Sequence, residues 1–249
     1  MSKPADDPGP RVGRVKPVVP AAMVFDFDGT LVDTETAEYE SVRLVWADHG
    51  HHYAPARWTP WVGTASEVPW LDDLELAVGE PVDRAGLRSR ARTYNRDLLH
   101  LVLPRPGVAR LLAEADEAGV PLAIASNAPA AWVERHLERL GLIHHFEPHG
   151  AVITVDRVER PKPDPEPYLT AVARLGAAPG RSVAFEDSAT GVAAARAAGL
   201  YTVAVPGPMS SGHDLGDADR QLVSLDELTV ASLGRAVGRR PDRQAPRAS

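Results

Sequence analysis

Five short apolar runs constrain the fold more than any other feature of the chain: AAMVFDF from Ala21, VPLAIAS from Val120, GAVIT from Gly150, SVAFED from Ser182 and YTVAV from Tyr201. Their length and their Val, Ile and Ala content read as strands buried on both faces. Between the later runs lie GVARLLAEADEAG, AAWVERHLERLG, PEPYLTAVARLG and TGVAAARAAG, which have helical spacing and end in glycine as a C-capped helix does. Strand alternating with helix predicts an α/β protein with a Rossmann-like, doubly wound parallel sheet and helices on both faces.

Residues 35–103 break that rhythm, because no ordinary strand-to-helix connection is so long. TAEYESVRLVWADHG and RAGLRSRARTYNRDLLH within them have helical spacing, so this interval is predicted to form a small α-helical cap. The core is then expected from residues 20–34 and 104–231. Residues 1–19 and 232–249 are rich in Pro, Arg and small side chains with little to bury, and are expected to be mobile tails. A net charge of -7 without a long basic block argues against general affinity for nucleic acid. The absence of cysteine excludes a disulfide framework, a thiolate nucleophile and a cysteine-ligated zinc. No apolar run approaches a membrane span and the opening residues lack the apolar region of a secretory signal. The expectation is a cytoplasmic protein, a monomer or weak dimer that does not engage membranes.

The chemistry is left to carboxylates, hydroxyls and amines. Asp26 and Asp28 in DFDGTLVDTE point to one side of an extended chain. At the carboxyl end of a parallel strand that side opens onto the crevice where ligands bind. Two like charges so close require a divalent cation, a shared proton or hydrogen bonds. A turn after a strand would also use Asp and Gly. A calcium loop starting at Asp26 fails, because Leu31 and Ala37 stand where Gly and Glu are needed. Three other segments carry complementary groups. Glu186 and Asp187 close SVAFED with hard oxygen ligands that suit Mg²⁺. Ser126 and Asn127 precede a helix whose free amides suit a phosphate, although Ser there is equally an ordinary N-cap. Lys162 stands between two prolines that stiffen the chain around its ammonium. Asp33 falls at the exit toward the cap and reads as a turn or hinge residue.

DFDGTLVDTE, SNAP, KPDPEPYL and FEDSATGVAAARAAG, in this order and approximate spacing, resemble the four motifs of the haloacid dehalogenase-like hydrolase superfamily. The resemblance spans about Ala22 to Val205 and is to the branch with a helical cap, which includes phosphoglycolate phosphatase and β-phosphoglucomutase. It implies that Asp26 is a nucleophile attacking phosphorus and a Mg²⁺ ligand. Asp28 would be the general acid and base, with its backbone carbonyl on the metal. Ser126 and the Asn127 amide would hold the transferring phosphoryl group, Lys162 would balance its charge beside Asp26, and Asp187 would bind Mg²⁺ directly with Glu186 acting through a water. Pro161 and Glu166 depart from the motif's usual Gly and Asp, without touching the charge role of the lysine.

The reading that follows is a Mg²⁺-dependent phosphatase acting on a small phosphorylated metabolite, a phosphate monoester, through an aspartyl-phosphate. A sugar phosphomutase is the alternative. The resemblance implies that a mutase cap would carry an Arg where VGTASEVPW has Ser66. Dehalogenation would leave Asp28 and the Glu186–Asp187 pair without use, and a non-catalytic binding or regulatory protein would not need the whole set. Trp61, Thr64, Trp70, Arg88, Arg92, Tyr94 and Asn95 are candidates to touch substrate from the cap, although aromatic residues there also suit core packing. The histidines of DHGHHY and IHHFEPH are read as solvated loop residues.

Overall fold

The computed structural model describes residues 18–64 and 66–239. In β1 (Met23–Phe25) alternate side chains go to opposite sides of the sheet, and both sides are buried. Met23 and Phe25 join Leu122 and Ile124 of β2 (Leu122–Ala125) and Val183 and Phe185 of β4 (Val183–Glu186) in one large apolar cluster. The paired Phe25 and Phe185 rings stack 4.4 Å apart. On the other side Val24, Ala123, Ala125 and Ala184 present small side chains. That division sorts the helices. α4 (Val108–Ala118), α5 (Ala130–Arg139) and α8 (Val230–Gly238) pack on the bulky face. α6 (Glu166–Arg174) and α7 (Ala189–Ala197) pack on the small-residue face.

β3 (Val152–Ile153), β5 (Tyr201–Ala204) and β6 (Arg220–Gln221) complete a six-stranded sheet in the order β3-β2-β1-β4-β5-β6, with every pairing parallel. This is the expected Rossmann-like α/β core, and its order reverses at β1 and β4, where such sheets bind ligands. The sixth strand was not foreseen, because its Arg and Gln are exposed and carry no apolar signal.

Between β1 and α4 lie α1 (Thr34–Asp48), α2 (Trp70–Val78) and α3 (Arg84–Leu99). They share a separate cluster in which Tyr39, Val42, Trp46, Trp58, Leu74 and Leu87 are buried. Met209, from the segment after β5, joins this cluster, so a core loop reaches into the cap. The two connections to the core run side by side, with Val32 bridged to Pro104 and the Arg105 amide donating to Leu31 O at 2.9 Å. Asp33 caps α1 through the Thr36 amide at 3.1 Å, the local hydrogen bond expected of it.

Both expected tail boundaries are corrected. Residues 232–239 are not tail, because Val230, Leu233 and Val237 of α8 sit in the bulky cluster and Arg239 caps that helix, and residues 18–19 belong to the packed core as well. Val18 and Val19 pack against Gly234, where a Cβ would lie 1.9 Å from Val18 O. The helical spacing of TVASLGRAVG was hidden by the Arg- and Pro-rich sequence after it. The remaining expected tail residues, 1–17 and 240–249, lie outside the described ones.

Candidate active site

The carboxyl ends of β1 and β4 meet the loop carrying Lys162, and the three bury an ionic cluster. Lys162, 4% exposed, donates from Nζ to Asp26 Oδ1 at 2.7 Å and to Glu186 Oε1 at 2.6 Å. Tyr168 lies under the ammonium, 5.0 Å from ring centroid to Nζ, and its hydroxyl donates to Glu186 Oε1. Burial alone would lower the lysine pKa, but Asp26 and Glu186 outweigh it and raise the value, so Lys162 is a cation here.

Asp26, Glu186 and Asp187 place one carboxylate oxygen each within 4.8 Å of one another. Desolvation, only partly offset by Lys162, pushes Asp26 up to about 7, and burial followed by repulsion from Asp26 and Glu186 pushes Asp187 well above the usual carboxylate range. With all three carboxylates ionised, the cluster and its one ammonium would carry a net charge of −2, and the raised pKa values express that repulsion, which bound protons or a divalent cation would relieve. Backbone room is reserved for the cluster. A Cβ on Gly29, at φ +81°, would lie 2.2 Å from Asp187 Oδ2, and one on Gly191 would lie 2.0 Å from the Glu186 carboxylate. Hard oxygen donors, excess negative charge and glycine clearance fit a divalent cation of the Mg²⁺ type.

Asp28 faces a different environment. Thr34 Oγ1 donates to its Oδ1 at 2.6 Å and Trp132 Nε1 donates to the same oxygen at 2.9 Å. Desolvation still raises its pKa against those two bonds. With Oδ1 doubly occupied, a proton on Asp28 belongs on Oδ2. Ser126 is buried and its Oγ accepts from the Ala128 amide at 3.0 Å. The Asn127 side chain brackets the backbone of Lys162, accepting from its amide at 3.0 Å and donating to its carbonyl at 3.1 Å. Its side chain therefore positions the lysine loop.

Above these groups a chamber of about 330 Å³ is lined by Asp28, Ser126, Asn127 and Trp132 from the core and by Glu35, Thr64 and Asn95 from the cap. It shares Glu35, Thr64, Asn95 and Asn127 with a neighbouring space of about 360 Å³ reaching Trp61, Trp70, Arg88 and Arg92. Six of the seven expected cap residues thus line one or both spaces. Tyr94 lines neither; its hydroxyl donates to Asp48 at 3.1 Å on the outside of the cap. The cap rests on the core at Gly63, at φ +75°, where a Cβ would meet Ser188 at 2.4 Å.

Several participants were not singled out from the sequence. Thr34, Trp132 and Tyr168 sit in helices whose spacing marks only packing. Ser210, which donates to Asp187 Oδ2 at 2.8 Å, comes from a loop without a motif. Arg105 donates to the carbonyls of Gly29, Val205 (2.7 Å) and Pro206 (2.9 Å), tying the loops after β1 and β5 together. Among the loop histidines, His144 is exposed as expected, whereas His145 is shielded against Asp116, with Nδ1 2.5 Å from Oδ2, and the three side chains come within metal-ligating reach of one another.

A doubly wound parallel sheet with buried carboxylates and a lysine at its switch point, covered by a helical cap, is the architecture of a capped hydrolase. The chain belongs to the haloacid dehalogenase-like hydrolase family, whose model matches residues 23–205. It is similar to the Bacillus subtilis protein YhcW, at 35% identity over 85% of this chain and 95% of that one. Similarity extends to the Escherichia coli fructose-1-phosphate phosphatase YqaB, at 31% identity over 74% of this chain and 96% of that one. Among solved structures, a mutant of CbbY from Rhodobacter sphaeroides in complex with xylulose-(1,5)bisphosphate aligns with a TM-score of 0.67, at 28% identity over 84% of this chain and 96% of that one. Among the described residues no helix is long and apolar enough to cross a membrane.

Proposed function

We propose that the chain is a divalent-cation-dependent phosphatase of small phosphorylated metabolites, sugar phosphates foremost, with Asp26 as nucleophile. The observation that carries this reading is the contrast between the two aspartates: Asp26 is held against Lys162 and the acidic cluster, while Asp28 is held apart by Thr34 and Trp132. A cation bound at the acidic cluster, together with Lys162, would draw Asp26 from its raised pKa to the ionised form that attacks phosphorus, while Asp28, hydrogen-bonded apart from that cluster and raised by desolvation, keeps a proton to donate.

Asp26 Oδ forms the new bond to phosphorus, the ester P–O bond breaks, and Asp28 gives its proton to the departing oxygen. Asp28 then takes a proton from water, whose oxygen attacks the aspartyl-phosphate and restores Asp26. Ser126 and the Asn127 amide contact the phosphoryl oxygens, and Lys162 offsets their charge. A Mg²⁺ held by Asp26, Asp187, Glu186 and the Asp28 carbonyl would add electrostatic stabilisation of the transferring group. Lys162 and Tyr168 already occupy Glu186 Oε1, which supports an indirect role for that residue. The cap excludes bulk water while phosphoryl transfer proceeds.

The test is phosphate release from a panel of phosphorylated metabolites with Mg²⁺. Turnover is expected for at least one sugar phosphate, and Asp26→Asn should abolish it while leaving the unfolding free energy within about 1 kcal/mol of wild type or above it, since one buried like charge is removed. An Asp26→Asn protein with substantial turnover overturns the assignment. Phosphate transfer between sugar positions without net release would favour a phosphomutase.

A further inference from the structure

Beyond Trp132 the seam between cap and core widens into a separate cavity of about 640 Å³, lined by Arg92 and Arg96 of α3, by His100 just past its end, and by Arg135, His136 and Arg139 of α5. No carboxylate among the described residues lines it. In a chain of net charge -7, four guanidiniums and two imidazoles around one space are a local excess of positive potential. A solvated charged face accounts for some of them. Arg96, for instance, is exposed and lies 3.5 Å from Asp97.

It does not account for His136, which is 4% exposed. Arg139 Nε donates to His136 Nδ1 at 3.4 Å, so the proton of the neutral ring belongs on Nε2. Among the described residues that N–H has no acceptor, and neither has Arg139 Nη2, which is also shielded from solvent. A buried donor left unsatisfied destabilises the fold. The charged groups of the lining are all donors, its acceptors are the neutral oxygens of Ser89, Thr93 and Asn95, and the complement to the four guanidiniums is an anion from outside the chain.

The geometry points to a second anion site at the seam between cap and core, taking a small dianion of the phosphate class. An ion held there bridges α3 of the cap and α5 of the core and favours the closed cap. It also bears on Asp28. The Trp132 indole that donates to Asp28 packs on His136 with ring centroids 4.4 Å apart and has the Arg135 guanidinium carbon 5.5 Å from its centroid. The site stands whether or not the cluster at the strand ends hydrolyses phosphate esters. Free inorganic phosphate and the second phosphate of a doubly phosphorylated sugar share the required chemistry.

The experiment follows the His136 ring nitrogens by NMR in the full chain with Mg²⁺ present, titrating inorganic phosphate and, separately, a sugar bisphosphate. A saturable shift of His136 Nε2 is expected. Its midpoint should rise about ten-fold or more in Arg96→Gln/Arg135→Gln, as the loss of charge-assisted hydrogen bonds requires, and both substitutions fall on exposed side chains. Asp26→Asn should leave the midpoint for inorganic phosphate unchanged. A response to both ligands identifies free phosphate as a sufficient source, and a response to the bisphosphate alone identifies the second phosphate of a metabolite. A His136 signal that does not move, that moves equally in the double variant, or whose inorganic-phosphate midpoint follows Asp26→Asn overturns the site.

Discussion

The floor and the roof of the chamber are built from similar residue types under different constraints. On the floor, Asp26, Lys162, Glu186 and Asp187 are all less than one-tenth exposed, and each is fixed by charged or hydroxyl partners. On the roof, Arg92 is exposed and Arg88 half-buried on one helix, and Arg88 pairs with Glu67, which is exposed. Buried charges tolerate no loose geometry, because each unpaired one costs several kcal/mol, whereas exposed ion pairs contribute about 0–1 kcal/mol. The floor can therefore hold one chemical arrangement while the roof changes what fits.

The comparison predicts the largest effects on the floor. Lys162→Met leaves Asp26 and Glu186 buried without their shared cation. The expected cost is about 3–5 kcal/mol in urea unfolding together with loss of turnover. Stability near wild type would mean that the two carboxylates share a proton and do not need the lysine. Asp28→Asn is expected to act on chemistry alone, lowering kcat by about 10²–10⁴ with KM little changed. An equal fall in kcat and rise in KM would instead make Asp28 a binding residue.

The same contrast explains what was legible in the sequence. Floor residues lie where strands end, so Asp26, Asp28, Ser126, Glu186 and Asp187 are marked by an abrupt change from apolar to polar. Lys162 is marked by its flanking prolines. The partners of those residues carry no such mark. Thr34, Trp132 and Tyr168 reach the site because three helices pack around one strand end, and helical spacing tells only which face is buried. Ser210 and Arg105 depend on loop paths set by the tertiary fold. The roof was legible as a list of polar and aromatic candidates, most of which line the chamber. Tyr94 failed because its ring turns outward on α3 to meet Asp48. The short edge strand β6 escaped for a simpler reason: an exposed Arg-Gln pair has no hydrophobic period to detect.

Where roof meets floor, an intermediate effect is expected. Gly63→Ala must place a Cβ 2.4 Å from Ser188 while holding φ at +75°. The cost is about 1–3 kcal/mol, expressed as cap opening more than global unfolding. Hydrogen exchange at residues 59–64 should accelerate while exchange in β1 and β4 stays unchanged. Acceleration throughout the sheet would show that the cap and core unfold as one unit.

The effect that shows only as pH changes belongs to the roof itself. Glu35 accepts from Trp58 Nε1 at 3.2 Å, and burial, followed by repulsion from Glu38 and Asp28, pushes its pKa up to about 8 from 4.5. The folded chain therefore binds a proton at Glu35 that the unfolded chain releases near its ordinary pKa. Stability from this group is fully present at pH below about 4.5 and is lost as pH rises through about 8. Glu35→Gln removes the titration, so its Tm profile should be flatter than wild type across that window. Each kcal/mol of relieved burial cost should appear as about 2–4 °C at the alkaline end. Parallel profiles would mean that the cap opens enough to solvate Glu35 without unfolding, and would place the roof among the locally mobile parts of the molecule.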